Sequence, residues 1–150
     1  MLDWLDWLFS DPLPTGSPAP DFTLPKQDRG AVRLSSLRGG NVVLVFYPGD
    51  DTPTCRQQLC EFRDQWAEAR KRNTEVFGVN PASAGSHAKF QEKYHLPFPL
   101  LVDAGQKVAA LYHASGIFIK RTVYLIGPDG AIRYAQRGKP DPREVLAAAR

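Results

Sequence analysis

The chain has 150 residues, 43% of them hydrophobic and 23% charged, which are the proportions of one globular domain and exclude two large ones. A chain of this length buries roughly 68–70% of its unfolded surface, so it builds a core without disulfides or metal, and its two cysteines are free for chemistry. The net charge of +3, from 19 basic and 16 acidic residues, is spread along the chain without a basic block. That gives nucleic-acid binding little support, and the longest apolar run, Val42–Tyr47, falls far short of the roughly 20 residues of a membrane helix.

Residues 1–9 can form two helical turns, with Asp3 and Asp6 on one side and Trp4, Leu5, Leu8 and Phe9 spread over the other. They read as a packing appendage, or as a helix that docks on its own domain or on a second subunit; acidic polar residues argue against an anionic lipid surface. The same stretch lacks a basic n-region and a small-residue cleavage site, so a retained, cytoplasmic protein is expected. Asp11–Pro20 holds four prolines and Gly16 and reads as a linker. The expected division is an appendage with linker over 1–17 and a compact domain over 18–150.

Asp21–Leu24 and Val32–Leu34 flank the polar turn Lys26–Gly30, a small hairpin. Asn41–Tyr47 is β-branched and aromatic at both alternating positions, the pattern of a strand covered on both faces at the centre of a sheet. Pro48 ends it. One long helix is predicted from Pro53 to Arg72, with Leu59, Phe62, Trp66 and Ala69 at three- and four-residue spacing. A strand over Glu75–Val79, a helix over Ser83–Tyr94, a strand over Phe98–Val102 and a helix over Gln106–His113 continue the βαβ alternation. Strands Arg121–Ile126 and Ala131–Gln136 are joined by Gly127-Pro128-Asp129-Gly130, and a helix over Pro142–Ala149 closes the chain. This order resembles the thioredoxin-like α/β fold: a central mixed β-sheet flanked by helices, here with an N-terminal β-hairpin.

The segment Tyr47–Glu61 joins strand to helix. Thr52 is a good N-cap and Pro53 is favoured at the first helical position, so Cys55 falls in the first turn. Orphan amides and the positive end of the helix dipole there favour a thiolate, the form of cysteine that acts as a nucleophile. Asp50 and Asp51 oppose this if they point inward, but turn carboxylates are expected to stay solvated. Cys60 lies five residues on, so an intact helix separates the two α-carbons by roughly 8–9 Å, beyond the limit of about 7 Å for a disulfide. A bond between them requires the first turns to unwind, which disfavours a static bridge and suits a transient one. By spacing alone the two can also be buried small hydrophobes. Zinc has no ligand-spaced partners among His87, His95 and His113, which read as surface or capping residues.

Pro48-x-x-x-Thr52-x-x-Cys55 resembles the active-site motif of peroxiredoxins, and the preceding Phe46-Tyr47 with the following Cys60 resembles the peroxiredoxin Q, or bacterioferritin comigratory protein, subgroup. Pro18–Leu24, His87–Phe90 with Leu96–Leu101, and Arg121–Ile126 followed by Gly130 are similar to the family's opening, middle and later segments. The likeness runs from about residue 17 to 136.

The resemblance implies a thiol-dependent peroxidase with Cys55 as the peroxidatic cysteine and Cys60 as the resolving one. It further implies a Thr52 hydroxyl beside sulfur and peroxide, Pro48 shielding the site from water, and Arg121 supplying the stabilising cation. No cofactor or metal is implied. The partners implied are a hydroperoxide and thioredoxin or a similar dithiol, with an intrachain disulfide compatible with a monomer or weak homodimer. Gln58 stands where the family commonly has glutamate, Thr54 where glycine is frequent and Arg56 where threonine is frequent. Two other readings share the scaffold: a general thiol-disulfide oxidoreductase, and a redox sensor or binding module using the same switch.

Overall fold

The computed structural model describes residues 11–150, and the helix expected over residues 1–9 lies outside them. The expected hairpin forms from β1 (Thr23–Pro25) and β2 (Ala31–Arg33), antiparallel with Leu24 opposite Val32. The main sheet contains β3 (Asn41–Phe46), β4 (Thr74–Asn80), β5 (Leu100–Val102), β6 (Thr122–Ile126) and β7 (Ile132–Arg137), in the order β5-β4-β3-β6-β7. β3 is parallel to β4 and β4 to β5, whereas β6 is antiparallel to both β3 and β7. The parallel pairs need crossovers, which helices supply; the β6–β7 pair needs only the Gly127–Gly130 turn.

β3 is buried along its whole length because its alternating side chains feed two cores. Val42, Leu44 and Phe46 pack with Phe77, Val79, Tyr112 and Tyr124. Val43, Val45 and Tyr47 pack with Cys55, Leu59, Phe62 and Phe90. The second core belongs to the helices α1 (Pro53–Asp64), α2 (Trp66–Lys71), α3 (Ala84–Lys93) and α5 (Pro142–Leu146). On the other face lies α4 (Lys107–Leu111). Local caps fix the helix starts: Ser83 accepts from Ser86 N (3.2 Å), Asp141 from Arg143 N (2.9 Å), and buried Asp103 from Val108 N and Ala109 N (2.9 Å each). No helix among the described residues is long and apolar enough to cross a membrane.

Two expectations need correction. The single helix over Pro53–Arg72 is two helices, broken at Gln65 (φ −102°, ψ 14°), whose amide turns back to the Phe62 carbonyl at 3.1 Å. The break re-aims the following turn, so the Trp66 ring packs 6.1 Å from Phe98 and Ala69 is buried; no glycine or proline announces it. The proline-rich segment 11–20 is irregular, as expected, but it is laid along the domain rather than linking to it. Gly16 N donates to Ile132 O (2.7 Å), Ile132 N to Ser17 O (2.9 Å), Ala19 N to Gly130 O (2.9 Å), and Leu13 N to the Tyr124 hydroxyl (2.9 Å). The amides between the prolines satisfy the backbone that the prolines cannot.

Candidate active site

The path from β3 into α1 builds the site. Tyr47, the residue after β3, is fully buried, and half-buried Pro48 turns the chain out of the sheet. Asp51 takes a left-handed conformation (φ 56°), Thr52 is extended (φ −80°, ψ 151°), and Pro53 opens α1. The first helical bond runs from Arg56 N to Thr52 O at 2.8 Å, so the Thr54 and Cys55 amides precede the helical ladder. Cys55 is fully buried in this first turn, against Tyr47 and Leu59.

Arg121 arrives from the other side, at the start of β6. The register Phe46↔Thr122 brings this edge beside the end of β3, so a residue distant in sequence meets Cys55. Its Nη2 donates to Cys55 Sγ at 3.2 Å, and its Nη1 donates to Gln58 Oε1 at 2.7 Å. Among the described residues, Arg121 is the hydrogen-bonding partner of that sulfur. Gln58 is fully buried one turn after Cys55; its Nε2 donates a long bond to Gly138 O (3.4 Å), and Gly138 N donates to Arg121 O (2.8 Å). A neutral amide therefore steers the guanidinium here, leaving its charge to the sulfur.

Both cysteines are free, Cys55 buried and Cys60 partly exposed on the same helix. Burial pushes the Cys60 thiol up; Arg63 and Arg56 pull it down and Asp64 adds to the rise, leaving it above its ordinary value. Cys60 is thus a protonated thiol at neutrality, with neither the burial nor the arginine contact of Cys55.

Thr52 departs from expectation. Its backbone occupies the N-cap position, but its hydroxyl makes no capping bond; it turns back to Gly49 O at 3.4 Å, a local acceptor that competes with the helix amides. Asp50 and His87 also differ from expectation. The Asp50 side chain, expected in solvent, is only 7% exposed, and His87, expected at the surface or as a cap, is fully buried on α3. Asp50 Oδ1 accepts from the Tyr47 hydroxyl (2.8 Å), while Oδ2 lies 2.6 Å from Ser86 Oγ and 2.7 Å from His87 Nδ1. Burial works against the ionised carboxyl, but the bonds to His87, Ser86 and Tyr47 outweigh it and hold Asp50 below its usual range. Burial raises the Tyr47 phenol well above its usual value, and the charges of Asp50 and Cys55 add to the rise, so Tyr47 remains a donor. The sequence does carry one signal: His87 lies three residues before the inward-facing Phe90 on one helix, a buried position. Asp51 stays exposed, bonded to Lys93 (2.8 Å) and to the Tyr94 hydroxyl (2.6 Å), while Arg56 Nη1 reaches the same hydroxyl at 3.2 Å. His95 and His113 are exposed.

A mixed sheet with helices on both faces and a buried cysteine at the start of the helix that leaves its central strand defines a thioredoxin-fold thiol protein. The chain belongs to the AhpC/TSA family, whose pattern matches residues 15–135, and within it to the peroxiredoxins of the Q and bacterioferritin comigratory kind. Peroxiredoxin Q, chloroplastic, of Oryza sativa subsp. japonica is 40% identical over 135 residues, covering 87% of this chain and 62% of that protein. The chain thus spans about six-tenths of the length of that curated relative. Among solved structures, peroxidoxin BcpB of Mycobacterium tuberculosis matches with a TM-score of 0.82 and 32% identity, over 89% of this chain and 94% of that one. The bacterioferritin comigratory protein of Xanthomonas campestris, solved in work on its alkyl peroxide reduction, matches with a TM-score of 0.79 and 25% identity, over 85% and 88%.

Proposed function

We propose that this chain is a thiol-dependent peroxidase acting at Cys55 on hydrogen peroxide and organic hydroperoxides. The observation that carries the reading is a guanidinium held 3.2 Å from a buried cysteine sulfur at a helix start. The Cys55 thiolate attacks the terminal oxygen of the peroxide and the O–O bond breaks. Both electrons of that bond leave with the other oxygen, which takes a proton and departs as water or an alcohol; Cys55 becomes a sulfenic acid. Arg121 stabilises the thiolate and the charge moving onto the leaving oxygen. Pro48 keeps water from the sulfur. Thr52 serves the peroxide by rotating its hydroxyl away from Gly49 O, a change of one staggered side-chain rotamer.

Cys60 then attacks the sulfenic sulfur, its thiol proton and the departing hydroxide leaving as water, and an intrachain disulfide forms. The first turns of α1 unwind for this, because an intact helix holds the two α-carbons too far apart. A dithiol reopens the bond by exchange and is itself oxidised to a disulfide; kinship with the peroxiredoxin Q group favours thioredoxin in that role. A cycle contained in one helix suits a monomer or weak homodimer, and a compartment that keeps thiols reduced, the cytoplasm, suits its recycling. Activity toward alkyl hydroperoxides follows the likeness to the Xanthomonas campestris protein.

The test is intact mass after one equivalent of peroxide. The parent should lose two hydrogens within one chain, Cys60→Ser should stop at a trappable sulfenic acid, and Cys55→Ser should show neither. Thiol-dependent turnover by Cys55→Ser overturns the reading.

A further inference from the structure

His87 has no role in the reaction just described, yet it is the most completely bonded buried titratable side chain near the site. Its Nε2 faces Asn80 O at 3.1 Å and Leu101 O at 3.0 Å. Carbonyl oxygens only accept, so Nε2 carries a hydrogen. Its Nδ1 lies 2.7 Å from Asp50 Oδ2, a distance that requires one hydrogen between the two atoms. Whichever atom holds that hydrogen, the His87–Asp50 couple has no net charge.

The position of the couple gives this neutrality a consequence. Asp50 sits two residues before Thr52 and is bonded to Tyr47, which shares a buried cluster with Cys55. The carbonyl of Tyr47 accepts from Asn80 Nδ2 at 2.8 Å, so the ends of β3 and β4 and the first turns of α3 all grip the Tyr47–Asp50 turn. The groups facing the couple are Tyr47 just after β3, Ser86 from α3 and backbone carbonyls from β4 and β5; Lys89 and Lys93 line the cleft outside Asp50. A carboxylate buried here without a counter-charge would oppose a thiolate in the same cluster.

We propose that Asp50 and His87 are positioning residues: they share one proton, clamp the turn that carries Pro48 and Thr52 onto α3, and let a carboxylate serve as the clamp without setting a net negative charge beside the reacting sulfur. The proposal rests on Cys55 being that sulfur. It is tested with His87→Gln, whose amide nitrogen takes the place of Nε2 and keeps the donor toward Asn80 and Leu101, but which offers no hydrogen to Asp50.

Iodoacetamide alkylation of Cys55 at pH 7 reports the thiol whether or not the chain turns over peroxide, so failure here is distinguishable from failure of the peroxidase reading. His87→Gln should slow alkylation about tenfold. The double variant H87Q/D50N, which also removes the uncompensated carboxylate, should recover to within about threefold of the parent. A residue that merely filled space would make the double variant no better than the single one, so an unrecovered double variant, or a single variant that alkylates at the parental rate, overturns the proposal. A check that needs no variant is NMR of the reduced parent: two exchange-protected hydrogens on the His87–Asp50 unit support it, one at Nε2 and one between Nδ1 and Oδ2, and the absence of either overturns it.

Discussion

The fork of Arg121 offers the sharpest test of the site. Its two nitrogens act at once, Nη2 on the sulfur at 3.2 Å and Nη1 on Gln58 Oε1 at 2.7 Å, so the amide of Gln58 aims the charge at Cys55. Lysine carries the same charge on one compact ammonium and cannot hold both partners in a fixed geometry. Arg121→Lys therefore loses about one charge-assisted hydrogen bond, worth about 1.5–3 kcal/mol. If that bond is made fully in the transition state, peroxide reduction slows by about 10- to 150-fold. Arg121→Met also removes the charge, and its loss should reach about 100- to 1000-fold, the usual effect of deleting a donor aimed at developing charge. The assay is rapid mixing of reduced protein with hydrogen peroxide, quenching with a thiol-blocking reagent and counting oxidised Cys55 by mass, with denaturant midpoints measured alongside. A rate for Arg121→Lys within about threefold of the parent would refute the role of the fork, and equal slowing by the two variants would refute the role of the charge.

Two further outcomes follow from packing and charge around the same turn. At Gly78 on β4, a β-carbon would come within 2.7 Å of Leu100 Cδ2 and 3.0 Å of Tyr47 Cε1, so Gly78→Ala should cost about 1–3 kcal/mol in urea unfolding and shift the Tyr47 ring; an unchanged midpoint would show that the ring has room to move. Asp50 is held below its ordinary value of 3.8, so the stability it contributes is complete above that pH and is lost as pH falls through its lower folded value. Stability measured by denaturant as pH is lowered below about 4 should therefore fall more steeply for the parent than for Asp50→Asn, and parallel curves in that range would deny Asp50 that part.

Much of this protein is legible in local sequence because the determining forces act over a few residues. The alternation in Asn41–Tyr47 required two covered faces and therefore the middle of the sheet, and the observed β3 is buried on both. Pro48 and Pro53 bracket a turn that can only end one element and begin another, which sets Cys55 in a first helical turn. The Gly127–Gly130 turn dictated the last strand pair. Arg121 was legible through the resemblance of its segment, since nothing within that segment says that it meets a sulfur.

Tertiary structure decided what depends on meetings between distant segments. His87 and Asp50 are 37 residues apart, and only the packing of α3 across the ends of β4 and β5 turns a histidine expected at the surface and a turn carboxylate into a buried couple. The break at Gln65 carries no local signal and serves the docking of Trp66 on Phe98. The prolines of residues 11–20 suggested a linker, yet the amides between them found acceptors on the domain. Local rules govern how a backbone starts and stops its own hydrogen bonds; which buried polar atom finds which partner is settled only when the whole chain has closed around it.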